Sequence, residues 1–262
     1  MRIGRQDDPH TAICTSDAHS ITVRGFDLCT EIIGKLDFTS YFWLLVTGTV
    51  PDAKQAAITN AVLAAIAEHG LVPSVLAARM TYAAGPEALQ GAVAAGLLGC
   101  GSVILGSAEV AGQFLVDCIA DAEGSGTDGA ARNGITRLRA DRRAIPGFGH
   151  PQHADGDPRA IRLLDFVQEL GLAGRHTEML WAIRDALPEA LGRALPINVN
   201  GAIPAVMLDA GFPLQAMKGI ALLARTAGLI GHLHEEADRP IGFIMSGAAA
   251  AAIGFDGKTK KK

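Results

Sequence analysis

Apolar residues recur every three or four positions along almost the whole of this chain, and hardly anywhere do they alternate with polar ones. That spacing gathers them on one stripe of an α-helix but scatters them over both faces of a strand, so it selects helices. The period runs through Asp27–Leu36, Thr39–Thr47, Asp52–Glu68, Pro73–Ala84, Pro86–Leu105, Ser107–Ala122, Asp128–Arg143, Asp157–Leu170, Gly174–Leu191, Gly201–Ala210 and Pro213–Asp238. Start signals accompany several of these at Pro51-Asp52, Val72-Pro73, Gly85-Pro86 and Asp157-Pro158, because proline is tolerated in a first helical turn. Two Tyr and two Trp leave few of the aromatic residues that sheets favour. The expected fold is all-α, with a short N-terminal hairpin where TAICTSD and SITVRG alternate weakly. The strongest breakers are Glu123–Gly129 (EGSGTDG) and the Gly/Pro-rich Pro146–Pro158, and the lysine tail Lys258–Lys262 is expected to fray.

A chain of 262 residues, 49% hydrophobic and 19% charged, can bury one large core or two lobes that share a cleft. Its net charge of −4 provides no overall basic field, which argues against nucleic acid as a partner. The cysteines Cys14, Cys29, Cys100 and Cys118 show no CxxC spacing and fit a reducing cytoplasm. The polar opening MRIGRQDDPHTAICTSDAHS has no apolar run of the kind an export signal needs. Ala92–Val110 is nearly long enough to span a bilayer, but its Gly, Ala and Ser content predicts a buried core helix and no membrane partner.

Chemistry concentrates in four segments. Ile145–Ala160 (IPGFGHPQHADGDPRA) surrounds His150 with Gly and Pro, then sets Arg159 at a helix start. Glycines there admit an anion to the backbone, and a guanidinium fork matches a carboxylate. Its bland alternative is an ordinary turn. In Glu68–Arg79 (EHGLVPSVLAAR), His69 ends one helix and on its own reads as a C-terminal cap. In Pro196–Val206 (PINVNGAIPAV), Asn198 and Asn200 precede an apolar helix and read as N-cap residues. In Ala224–Glu236 (ARTAGLIGHLHEE), Arg225 lies in an apolar stretch and demands an anionic partner. His232 and His234, two residues apart, fall on different helix faces and make a poor metal pair.

Taken in order, these segments resemble the citrate synthase superfamily, and within it the short bacterial citryl-CoA lyases and the lyase module of ATP citrate lyase. Ile145–Ala160 is similar to the PGFGHP…GDPRA loop, Glu68–Arg79 to the D/E-H segment, Ala224–His232 to the AR…G-x-I-x-H helix, and Thr22–Pro51 to the RGY entry and "LL-x-G-x-x-P" helix end. The resemblance implies a large helical lobe from residues 1–107 and 223–262, with residues 108–222 as a small lobe and the active site in the cleft. It implies that His69, His150, Arg159 and Arg225 bind the carboxylates and central oxygen of an oxaloacetate- or citrate-like group, and that Ile145, Gly147 and Phe148 contact coenzyme A. A CoA thioester as substrate, no metal, and a homo-oligomer (a dimer or dimer of dimers) are further implications.

Two positions depart from the family pattern. The histidine of "G-P-x-H-G-G-A" falls here on Ile104, as it is also absent from ATP citrate lyase. The carboxylate of "N-V-D-G" falls on Asn200, whose amide exchanges hydrogen bonds but cannot act as a general base. The resemblance therefore implies a citryl-CoA lyase using His150, Asn200 and His69. Two alternatives stand beside it: an acyltransferase joining an acyl-CoA to a 2-oxo acid, and a non-catalytic module that binds CoA esters or polycarboxylates.

Overall fold

The computed structural model describes residues 9–101, 107–149 and 156–257. Its sheet is a meander of three short strands, β1 (Cys14–Ser16), β2 (Ile21–Val23) and β3 (Phe26–Asp27), paired antiparallel in that order with Cys14 opposite Val23 and Thr22 opposite Asp27. The hairpin anticipated from the alternation thus gains a third strand. Arg24 (φ 52°) and Gly25 (φ 90°) make the tight turn that adds it, since both central residues of such a turn need positive φ. The Arg24 guanidinium then donates to the Leu45 carbonyl from Nε (3.0 Å) and Nη2 (2.6 Å), pinning the sheet to the helical body.

The rest is helical: α1 (Phe38–Thr47), α2 (Ala53–Ala67), α3 (Pro73–Ala84), α4 (Leu89–Leu98), α5 (Ser107–Ala140), α6 (Pro158–Glu169), α7 (Arg175–Leu191), α8 (Val199–Asp209), α9 (Met217–Asp238) and α10 (Gly242–Ala252). Local chemistry sets the ends. Asp37 caps α1, Asp52 and Gln55 form a capping box on α2, Asp157 caps α6, and Gly48 and Gly192 close α1 and α7 in the left-handed region. The break expected within Glu123–Gly129 falls at Gly126 (φ 69°, ψ 168°), where α5 folds back on itself. Phe114 and Cys118 on its first arm face Gly134 on the second, and Arg137 pairs with Asp121 across the bend.

Several sequence expectations are corrected. Asp27–Leu36 is helical only over Leu28–Ile32, because the chain turns extended at Ile33 and left-handed at Gly34. The helix foreseen from Pro86 begins at Leu89, after a non-helical Ala88. The stretch from Pro213 starts with a single tight turn, Leu214–Ala216, before α9. The helix foreseen from Gly201 starts two residues earlier, and its cap is Asn198, so Asn200 lies inside the first turn and is not a cap. Helix α10 was not foreseen: its alanines carry high propensity but almost no amphipathic stripe. The apolar Ala92–Val110 is not uniformly buried, for Ala92 and Gly96 are inside while Leu98 is 87% exposed.

The main core joins α2 and α5 through α9, with Ile58, Val62, Leu115, Ile135, Met179, Ile183, Leu187, Ile203 and Met207 excluded from solvent. A second cluster of Val75, Ala78, Ala92, Leu229 and Leu233 binds α3 and α4 to α9. Helix α9 therefore belongs to both and carries Arg225 between them. No helix among the described residues is long and apolar enough to cross a membrane.

Candidate functional site

Two glycine-containing loops meet at the centre. Gly147 (φ 90°) and Gly149 (φ 76°) adopt backbone conformations that disfavour other residues, and they flank Phe148, which bridges antiparallel to Ile197. The Asn198 N–H donates to the Gly147 carbonyl (3.0 Å), and the Gly149 N–H donates to the Pro196 carbonyl (2.8 Å). The Asn198 side-chain amide closes the joint by donating to the Gly149 carbonyl (2.6 Å). With the flanking residues supplying both ladder bonds, Phe148 and Ile197 form a non-hydrogen-bonded pair, and the N–H and C=O of both point away from the ladder. Ile145 and Phe148 are themselves buried.

Asp157, fully buried, binds this joint to α6 and α8 together. It accepts from the Arg159 N–H (3.1 Å), Nε (3.0 Å) and Nη2 (2.9 Å), and from the Val199 N–H (2.9 Å). Burial alone would push this carboxyl up, but the Arg159 guanidinium and the Val199 N–H together hold it below the usual carboxylate range. The fork of Arg159 is thus engaged by Asp157 along one edge, leaving Nη1 for other partners. At the start of α8, the N–H groups of Asn200 and Gly201 both donate to Asn198 Oδ1, at 3.0 and 3.2 Å, and that of Val199 goes to Asp157. The first backbone donors of this helix are all engaged, so the Asn200 carboxamide is the polar group this helix end has left to offer.

Arg225 is 3% exposed, and its Nε and Nη1 make no hydrogen bond among the described residues. Burial draws its guanidinium below the usual arginine range; nearby Glu68 supports the charge and nearby Arg159 opposes it. The structure thereby places Arg159, Arg225 and the Glu68-His69 corner in one neighbourhood. Helix α2 ends at Ala67, so His69 lies beyond the C-cap, Glu68. Glu68 Oε2 stands 2.9 Å from His232 Nε2 and 3.9 Å from Arg225 Nη1, while Oε1 accepts the N–H groups of His69 and Gly70. His150 and Ile104 lie outside the described residues.

A cavity of about 350 Å³ opens against the backside of the glycine loop, between Ile145, Phe148 and Leu195, with Arg139, Arg143 and Arg193 around it. Sequence reading missed these three arginines. For Arg139 and Arg143 the signal was present in RLRADRR, which ends two residues before the PGFG loop; for Arg193 there was none. A larger groove of about 590 Å³ between α2 and α6 has a floor of Ala61, Ala64, Ala65 and Phe166, and Arg159 at its edge. Among the described residues no group of three or more His, Cys, Asp or Glu is placed to hold a metal ion.

Comparison with known proteins gives consistent matches. The family model described as citrate synthase, C-terminal domain, matches residues 10–242. The solved structure of citryl-CoA lyase from Hydrogenobacter thermophilus superposes with a TM-score of 0.86 at 27% identity, covering 100% of this chain and 97% of that one. ATP citrate lyase from Methanothrix soehngenii, solved in complex with citrate and coenzyme A, shares the fold with a TM-score of 0.74 at 19% identity, over 98% of this chain and 43% of that one. A curated relative, citrate synthase of Synechocystis, is 26% identical over 208 residues, 77% of this chain; the chain spans about half the length of that relative.

Proposed function

The chain belongs to the citrate synthase family, and on that premise we propose that it is a citryl-CoA lyase, cleaving citryl-CoA to acetyl-CoA and oxaloacetate. The observation that supports the reading is the correspondence with a citryl-CoA lyase over 100% of this chain and 97% of that one. The geometry agrees with it. Arg225 offers two buried donors with no hydrogen-bond partner among the described residues, Arg159 lies near it at the head of α6, and His69 stands at the Glu68 corner. Opposed cations of this kind suit a ligand with several carboxylates.

In this reading Arg225, Arg159 and His69 hold the polycarboxylate. His150 takes the proton of the central hydroxyl, the carbon–carbon bond breaks, and its electron pair passes into the thioester as an enolate while the hydroxyl carbon becomes the keto carbon of oxaloacetate. The Asn200 carboxamide donates to the enolate oxygen at the positive end of α8, and water supplies the proton to the methyl carbon. Coenzyme A enters past Phe148, with Arg139, Arg143 and Arg193 taking its phosphates. Residues 1–107 and 223–262 form the large lobe and 108–222 the small one. A second copy of the chain is the expected cover for exposed Leu98 on α4 and Phe243 and Ile244 on α10.

Incubation of the purified protein with citryl-CoA, following oxaloacetate and acetyl-CoA, tests the proposal. Stoichiometric release of both supports it; tight binding of CoA esters without turnover overturns the lyase in favour of a binding module. Likeness to a citrate synthase favours a second reading, condensation of an acyl-CoA with a 2-oxo acid. Net synthesis from acetyl-CoA and oxaloacetate would select it.

A further inference from the structure

The hydrogen-bond roles around His232 are settled by its neighbours. Arg79 Nη1 lies 3.3 Å from His232 Nδ1, and a guanidinium can only donate. Nδ1 therefore accepts, the ring proton sits on Nε2, and Nε2 donates to Glu68 Oε2. Arg79 is anchored in turn. It is 2% exposed and held by Glu236 (2.6 Å), Glu235 (2.9 Å) and the Arg239 carbonyl (3.2 Å), and Glu236 accepts the N–H groups of Ile241 and Gly242 at the head of α10. A continuous chain of bonds thus runs from α10 to the Glu68 carboxylate.

That carboxylate stops short of Arg225. At 3.9 Å it lends the buried guanidinium a counter-charge, yet the bidentate bonds that carboxylates and guanidinium groups form at about 2.8 Å are not made. Among the described residues, the donors that hold it are His232, His69 and Gly70. We infer that His232 tethers Glu68 off Arg225, so that Glu68 does not occupy the guanidinium Nε and Nη1 and these can take a ligand carboxylate. His232 is a positioning residue and does not itself touch the ligand. The inference rests on the reading that this site takes a polycarboxylate.

The tether matters because an untethered Glu68 competes with the ligand from within the chain, at an effective concentration of millimolar order or above. Calorimetric titration with oxaloacetate tests this in the full-length protein. His232→Leu removes the donor to Glu68, and the affinity for oxaloacetate falls about tenfold or more. In His232→Gln one amide accepts from Arg79 and donates to Glu68, and affinity returns to within about threefold of the unsubstituted protein. The double variant His232→Leu with Glu68→Gln lacks the competing charge and also recovers, which a purely structural role for His232 would not produce. Glu68→Gln alone binds oxaloacetate at least as tightly as the unsubstituted protein, and this arm needs no loss of the imidazole. Unchanged affinity in His232→Leu, no recovery in the double variant, or a tenfold loss in Glu68→Gln overturns the tether. If the unsubstituted protein binds no oxaloacetate, the polycarboxylate reading falls and the tether with it; binding there with failure of the variants sinks the tether alone.

Discussion

A Cβ placed on Gly201 would lie 2.5 Å from the carbonyl oxygen of Gly147, and one placed on Gly147 would lie 2.8 Å from the Gly201 Cα. The glycine loop and the first turn of α8 are in backbone contact, and no side chain at either position fits without moving one of them. Gly201→Ala is expected to cost about 1–3 kcal/mol by overpacking. It should also shift Phe148 and Asn200 apart, so citryl-CoA turnover falls further than stability. Urea unfolding read beside the turnover assay checks both.

Asn200→Asp tests what the amide costs. The new carboxylate sits in the first turn of α8, where the helix dipole favours its ionised form, and it restores a group able to move a proton at carbon. Because an ionised carboxylate cannot donate to the enolate oxygen, cleavage of citryl-CoA is expected to fall in Asn200→Asp; a rise in rate shows instead that a proton-moving group at this position outweighs the lost donor.

Arg225 sets function against stability. Burying a guanidinium whose Nε and Nη1 have no hydrogen-bond partner among the described residues is costly, and the like charge of Arg159 adds to the cost. Arg225→Met is therefore expected to raise the melting temperature while weakening citrate or oxaloacetate binding by about 2 kcal/mol or more. Thermal unfolding and titration calorimetry on the same preparation give the two signs.

Around the rear cavity, Arg143→Ala and Arg193→Ala are expected to weaken coenzyme A binding by about 1 kcal/mol each, as loss of an exposed charge-assisted contact does, and to leave oxaloacetate binding unaltered. Titration with coenzyme A and with its 3′-dephospho form identifies which phosphate they meet.

Asp209, at the end of α8, caps α7 from a distance. It accepts the N–H groups of Gly174 (2.8 Å), His176 (3.0 Å) and Thr177 (2.9 Å), the Thr177 hydroxyl (2.6 Å) and His176 Nδ1 (2.8 Å). Burial would raise its pKa, but the bonds from His176 and Thr177 outweigh burial and lower it. A carboxyl depressed in the folded state contributes stability that is complete above its unfolded value, near pH 4, and is lost as pH falls through the lower folded value. Asp209→Asn is expected to cost about 2 kcal/mol or more at neutral pH and to flatten the acid limb of the stability curve. Urea midpoints between pH 3 and pH 7 measure it.

Much of this architecture could be read from local chemistry. The caps at Asp37, Asp52 and Asp157 and the break at Gly126 are short-range features, encoded within a few residues of where they act. Arg225 was legible because a lone cation in an apolar helix has few explanations. What stayed hidden depends on segments far apart in the chain. Asp157 as the anchor of Val199, Glu68 as the counter-charge of Arg225, and Arg79 as the partner of Glu236 all join residues separated by more than 40 positions. Helix α10 escaped for the opposite reason, since its alanines carry no face that periodicity could detect.

Asp157 and Gly149 fasten the two ends of one stretch of chain to the same short segment, Pro196 to Val199. Gly149 and Asp157 are thereby held at a set separation by one short segment, so a substitution that loosens Pro196–Val199 displaces Phe148 and the head of α6 together.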